Sequence, residues 1–144
     1  MSSPQNIAEA LRARMIVDGA LNTNLGGNAT TPGRIYHQLG KQNDARPHLV
    51  FDVLSVRVSR YMGTRITYET DAHFDIYVDR ELGTAAALGA GSLEENLFAN
   101  LDAFALTVTG MDRGVVLFTS RGVRSIEEDT IRISSDARVI GTTT

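Results

Sequence analysis

Ile66-Thr67-Tyr68-Glu69-Thr70-Asp71-Ala72-His73-Phe74-Asp75-Ile76-Tyr77-Val78-Asp79 alternates almost without fault. Ile66, Tyr68, Thr70, Ala72, Phe74, Ile76 and Val78 fall on one parity, and Thr67, Glu69, Asp71, His73, Asp75, Tyr77 and Asp79 on the other. A period of two over this length predicts a β-strand with one buried face and one polar face. At ~3.3 Å per residue the strand reaches roughly 45 Å, whereas most strands stop at about 10 residues. Four carboxylates and a histidine share the polar face. Such a face suits a lumen, a metal site, a subunit contact or plain solvation, and the functional question is which.

Working outward, residues 48–60 predict the preceding strand. Leu49, Phe51 and Val53 are apolar on one parity and Leu54, Val56 and Val58 on the other, so a bulge is expected near Val53 and Leu54. Tyr61-Met62-Gly63-Thr64 reads as the hairpin turn between the two strands. Residues 6–22 predict one amphipathic helix, with Ile7, Leu11 and Met15 at four-residue spacing. A loop over 23–33 and a short extended piece, Arg34-Ile35-Tyr36, follow. Residues 80–92 are rich in glycine and alanine and read either as a loop or as the loose start of a helix. Ser92 and Glu95 have capping-box spacing, and Leu93, Leu97, Leu101 and Phe104 form a helical stripe. Val115 to Thr119 predicts a short strand. Residues 130–139 predict the last one, with Ile131, Ile133, Ala137 and Val139 inward and Arg132, Ser134, Asp136 and Arg138 outward.

The expected fold is therefore α+β: a mostly antiparallel β-sheet with two amphipathic helices packed on one face, in the order helix, strands, helix, strands. One domain spans residues 1–144, with residues 1–5 and the tail 141–144 expected to be flexible or, for the tail, docked on a partner.

Composition narrows the function classes. The 144 residues include 14 basic and 17 acidic side chains, for a formal charge of -3, with 42% apolar and 22% charged residues. That balance offers no footprint for gripping nucleic-acid phosphates. No cysteine is present, which removes disulfides, zinc-thiolate sites and cysteine nucleophiles. No secretory leader and no apolar run of ~20 residues is visible, so a soluble protein made in the cytoplasm is expected.

No recognisable catalytic motif appears. His37, His48 and His73 sit in no known arrangement, and neither a Gly-x-Ser-x-Gly elbow nor a His-Glu-x-x-His pair occurs. Gly83, Gly89 and Gly91 lack the lysine of a phosphate loop. Ser120 and Ser125, beside Arg121 and Arg124, read as turn chemistry. No catalytic residue, cofactor or metal site is assigned. The candidate functional residues are the acidic face, Glu69, Asp71, Asp75 and Asp79, and the basic residues around the hairpin, Arg57, Arg60 and Arg65. Glu69, Asp71, His73 and Asp75 lie about 6.5–7 Å apart in sequence along one face, so a metal would need ligands from another strand. Cross-strand pairing with Arg57, Arg132 or Arg138 is the plainer reading of that face.

Taken together, the layout resembles the tail terminator, or tail completion, proteins of long-tailed bacteriophages over about residues 6–140. The residues that bear the resemblance are the first helix and loop, then Arg34-Ile35-Tyr36, then Pro47-His48-Leu49-Val50-Phe51. The long strand ending Phe74-Asp75-Ile76-Tyr77-Val78 and the small-residue segment running into a helix at 86–101 complete it. The resemblance implies a homo-oligomeric ring, usually a hexamer, at the head-proximal end of the virion tail. Such a ring caps the tail tube, ends its polymerisation and meets the neck or head-completion protein, while DNA passes through without specific binding. No membrane, enzyme activity or cofactor is implied. On this reading some of Glu69, Asp71, Asp75 and Asp79 line the lumen or a subunit boundary. Competing readings are another neck or tail-tube component, such as a head-tail stopper, and a cellular small-molecule-binding or enzymatic α+β domain.

Overall fold

The computed structural model describes residues 4–17, 19–38, 47–60, 66–79, 90–110, 113–127 and 129–143. Helices α1 (Pro4–Met15) and α2 (Ala20–Asn24) precede β1 (Ile35–His37), β2 (His48–Arg60) and β3 (Ile66–Asp79). Then come α3 (Ala90–Leu101), β4 (Ala105–Leu106), β5 (Arg113–Glu127) and β6 (Thr130–Thr143). The strands form one sheet in the order β1-β2-β3-β6-β5-β4. The β1–β2 pair is parallel and the other four are antiparallel.

The alternation of β3 is realised residue by residue. Tyr68, Thr70, Ala72, Phe74, Ile76 and Val78 are buried, and the intervening residues are half-exposed. The buried parity joins Leu49, Phe51 and Val53 of β2, Ile131, Ile133, Ala137 and Val139 of β6, and Val116 of β5 in a single core. The helices close this core from one side through Ile7, Ala8, Leu11 and Met15 of α1, Leu21 of α2, and Leu93, Leu97 and Leu101 of α3. Phe51, Phe74, Phe118 and Phe98 run through it as ring contacts of 6.0, 5.9 and 5.4 Å. Phe74 and Phe118 meet across β6 because only Ser135 and Ala137 stand opposite them there.

The predicted bulge is present: the β2–β3 register shifts between Val53 and Ser55. The hairpin turn at 61–65 and the glycine-rich segment at 80–89 lie outside the described residues.

Four expectations are corrected. The helix expected over 6–22 starts earlier, at Pro4, so Pro4 and Gln5 of the segment expected to be flexible belong to it, and it is two helices, broken between Met15 and Ala20, where Val17 and Gly19 are both poor helix formers. Among the described residues three helices therefore cover the sheet rather than two. The helix expected to be capped at Ser92 already includes Ala90, so Ser92 lies within its first turn, and Phe104 lies beyond its end. The strand expected to end at Thr119 continues to Glu127 with register shifts at Phe118/Ser120 and Ser120/Val123. Gly122, at φ 63, supplies there the left-handed backbone that a bulge often needs. Finally, residues 141–143 are not a free tail. Gly141 is in register with Tyr68 of β3 and Gly114 of β5, so the end of β6 is bonded on both sides.

The loop expected at 23–33 begins only after α2 ends at Asn24, and it is built around Asn22, which is fully buried. Its side-chain carbonyl accepts the Gly33 N–H at 2.7 Å, and its amide donates to the Asn28 carbonyl at 3.3 Å. Asn28 in turn accepts the backbone N–H groups of Thr30 and Thr31 at 2.9 and 2.8 Å. A Cβ on Gly27 would lie 2.5 Å from the Asn22 amide group and from the Gly33 nitrogen, so that close approach requires glycine.

Candidate functional site

The helices cover one face of the sheet, and the opposite face is where the singled-out charges collect. Each row of that face follows from strand register. Arg57 of β2 stands opposite Glu69 of β3, Ser55 opposite Asp71, and Asp71 opposite Arg138 of β6. Asp52 stands opposite His73, and His73 opposite Asp136. Asp75 is opposite Ser134, Tyr77 opposite Arg132, and Asp79 opposite Thr130 at the end of the strand.

Two clusters result. In the first, Arg57 bonds Asp71 at 2.9 and 3.3 Å and Glu69 at 3.3 Å. Arg138 approaches Glu69 at 2.9 Å and Asp71 at 3.7 Å. Two guanidinium groups therefore balance two carboxylates. The hydrogen bonds from Arg57 hold the Asp71 carboxyl below the usual carboxylate range, more than offsetting the opposing effect of what burial there is. The same bonds raise the Arg57 guanidinium above its ordinary value.

The second cluster centres on His73. Its Nδ1 lies 2.6 Å from Asp136 and its Nε2 3.0 Å from Asp75. Carboxylates only accept, so satisfying both contacts needs a proton on each ring nitrogen, that is, the imidazolium form. Partial burial pulls the His73 pKa down, but hydrogen bonding to Asp136 and the charges of Asp75 and Asp136 together outweigh it and leave it raised. Ser134 Oγ donates to Asp75 at 2.6 Å and fixes that carboxylate further.

The polar face of β3 is thus a ladder of cross-strand ion pairs, not a continuous acidic strip. Glu69 and Asp71 are balanced by Arg57 and Arg138, whereas the one His73 is shared by Asp75 and Asp136, which leaves that cluster net negative. Of the basic residues, Arg57 faces this ladder and Arg60 ends β2 opposite Ile66. Arg65 lies outside the described residues. His37 stacks on Phe51 with centroids 5.1 Å apart and lies 3.6 Å from Asp52, and His48 stacks on Tyr77 at 5.0 Å. Ser120 and Ser125 belong to β5 rather than to a turn.

A metal does not suit the cluster around His73, since both ring nitrogens are already engaged by carboxylates. Among the described residues no group of three or more His, Cys, Asp or Glu side chains is arranged to hold one. Among them, too, no helix is long and apolar enough to cross a membrane.

The sequence offered three arginines as partners of the acidic strand; Arg57 and Arg138 pair with it, because opposite charges on neighbouring strands pair, whereas Arg132 stands opposite Tyr77. It missed Asp52 and Asp136 around His73. Their alternation marks them as outward, but only the register places them in the same row as the histidine. Also missed was Glu94, which receives Arg121 Nε at 2.7 Å and its NH2 at 3.0 Å while that guanidinium lies 3.6 Å from the centre of the Phe98 ring. This ties α3 to the bulge of β5.

The fold has counterparts among solved structures. A chain from the structure described as "Virion of native gene transfer agent (GTA) particle" superposes with a TM-score of 0.67 at 17% identity, over 94% of this chain and 93% of that one. A second solved chain, carrying no functional name, superposes with a TM-score of 0.64 at 14% identity, over 99% of this chain and 96% of that one. At such identities the likeness establishes a shared fold. No protein-family model and no curated protein sequence matches the chain.

Proposed function

We propose that this protein is a structural component of a phage-like virion, and within that class a ring-forming tail terminator. It caps the tail tube, stops tube growth and joins the tail to the head or neck protein, with DNA passing through the ring. The observation that carries the reading is the end-to-end likeness to a chain of a gene transfer agent virion, 94% of this chain against 93% of that one. The correspondence runs over nearly the whole of both chains rather than over a shared substructure.

The step from virion component to terminator rests on the sequence resemblance, whose segments occupy defined places in the fold. Ile35 and Tyr36 lie in β1, Phe51 packs on Phe74 in the core, and the helix ending at Leu101 closes the sheet. The reading gives the protein an assembly role without catalysis or a cofactor. It also favours the charged face of β3 as the surface that meets the lumen or a neighbouring copy. Repulsion of DNA there acts over only about 8 Å at physiological salt. Glu69 and Asp71 are balanced by arginines while Asp75 and Asp136 share one histidine, so a lumen lined by this face keeps a modest negative charge, which lets DNA slide without being gripped.

The test is assembly. Purified protein, alone and with tail-tube ends, is examined by light scattering and negative-stain imaging. Closed rings, and tubes whose length stops growing when the protein is added, are expected. A strict monomer even with tube ends present, or polymerisation of the protein itself into long tubes, refutes the terminator role; the latter outcome identifies a tube subunit instead.

A further inference from the structure

Among the described residues, the sheet leaves two stretches of strand edge open. β1 pairs with β2 only at Leu49, Val50 and Phe51. The Val53 N–H is taken by the Asp52 carboxylate at 2.8 Å, and beyond it, among the described residues, no strand flanks residues 54–60. On the opposite side, β4 pairs with β5 only at Gly114 and Val115. Phe104 and Asp102 then cap β5 through the Val116 and Phe118 N–H groups, at 3.2 and 3.3 Å. Beyond Phe118, among the described residues, no strand flanks residues 119–127. The two open stretches lie on opposite edges and at opposite ends: one runs toward the Arg60/Ile66 end and the other toward the Glu127/Thr130 end.

Exposed apolar side chains gather there. Of the six large apolar residues strongly exposed among the described ones, Leu54 (61%) and Val58 (43%) lie on the first stretch, and Val123 (58%) and Ile126 (64%) on the second. A fifth, Leu117, stands two residues before the second stretch. Scattered exposed apolar residues are ordinary, but four of six on two short open edges are not scattered. An open edge presents unpaired backbone N–H and C=O groups that another strand can satisfy. Bulges at Val53/Ser55 and around Ser120, together with Arg121 and Arg124, blunt these edges against indiscriminate pairing.

We propose that the open edge of β2 in one copy pairs with the open edge of β5 in the next, so that Val58 and Ile126, which stand opposite the inward-facing Tyr68 and Ile131 and therefore share the helix-bearing face, lie beside each other across the joint. The occupant is a second copy of this chain because the molecule carries both halves of the joint on opposite sides. That arrangement repeats head to tail, and a head-to-tail contact whose rotation closes gives a ring. The inference rests on the ring reading above and assigns the joint within it.

The absence of cysteine makes the test direct. Cysteines are introduced as Ser55→Cys or Ser59→Cys on β2, combined with Thr119→Cys or Ser125→Cys on β5, and each is also made alone. Mild oxidation of the assembled protein should cross-link at least one β2/β5 combination into a ladder ending at the ring number, while single variants stay uncrosslinked. If rings form but only single variants cross-link, or no combination does, the edge joint is overturned and the ring reading stands. If the wild-type protein forms no ring, with or without tube ends, the ring reading falls and the joint with it. As a second measurement, Val58→Lys and Ile126→Lys should each weaken ring formation at least 10-fold in protein concentration while leaving the thermal midpoint of the monomer unchanged. Unaltered assembly in both variants counts against the joint.

Discussion

Replacing Asn22 by alanine tests whether the loop at 23–33 is a built element rather than a slack connection. Asn22 is fully buried, and its side chain supplies both an acceptor to Gly33 and a donor to Asn28. Gly33 is itself buried, so its N–H is left without water or partner; an orphaned buried donor costs about 1–3 kcal/mol. Loss of the second, longer bond adds about 0.5–1.5 kcal/mol. The expected total is about 2–4 kcal/mol, a sizeable part of the ~5–15 kcal/mol that holds a typical domain together. For a chain of this size that lowers the thermal midpoint by about 5–15 °C. Urea unfolding with an unchanged slope measures it, and amide exchange at Gly33 should accelerate selectively. Asn28→Ala is the comparator. It removes bonds to Thr30 and Thr31, but those groups are exposed and pass to water, so the cost should stay below about 1 kcal/mol. Equal costs for the two variants, or less than about 0.5 kcal/mol for Asn22→Ala, a size typical of neutral surface changes, would refute the reasoning.

Other expectations follow from the core and the charged face. Leu97→Ala, at a site 1% exposed between α3 and the sheet, should cost about 2–5 kcal/mol by chemical denaturation. His73 has a raised pKa in the folded state, so its contribution to stability is fully present below the unfolded value of about 6.5 and fades as pH rises through the folded value. Relative to His73→Gln, the wild type should therefore lose stability between acidic and mildly alkaline pH, and an NMR titration should place the imidazole above its ordinary midpoint. Asp71 has the opposite sign: its depressed carboxyl stabilises above about pH 4 and the contribution disappears as pH falls through the folded pKa. In Arg57→Gln the Asp71 carboxyl should titrate closer to its ordinary value, with little change in stability at pH 7, as carboxyl NMR and denaturation can check. Gly27→Ala should destabilise by a route independent of φ, because the added methyl meets Asn22 and the Gly33 backbone; a thermal midpoint equal to wild type would contradict that packing.

Strong periodicity made part of this structure readable in advance. β3 could be assigned residue by residue because burial on one face imposes a period of two that nothing interrupts. The bulge in β2 was visible as a switch of apolar parity. β5 was only half legible: after Phe118 the sequence Thr-Ser-Arg-Gly has turn composition, and Gly122 serves a bulge inside a strand instead. Beyond it Val123 and Ile126 have no core to face, so the apolar alternation that announces a strand is missing. The end of β6 was hidden for a related reason. Gly141, Thr142 and Thr143 carry no apolar signal; Gly141 and Thr142 are held between β3 and β5, and Thr143 is in register with Ile66 of β3. In the charged face, sign alone offered Arg57, Arg132 and Arg138, and only the register separates the two that pair from Arg132, which faces Tyr77. The pairing of His73 with Asp136 depends on a register between residues 63 positions apart, which no local pattern encodes.

The one-sided placement of the helices has a geometric consequence. A helix adds about 10 Å of thickness, and all three contribute to the same core on the same side of the sheet, while among the described residues the other side carries only side chains. The described part of the subunit is therefore two layers deep, with its bulk on one side and its ion pairs on the other. If copies stand edge to edge as proposed, contact between the helix layers of neighbours sets how far one copy tilts against the next. Enlarging side chains on the flanks of α1 or α3 should then change how many copies close a ring before it changes how firmly neighbours attach.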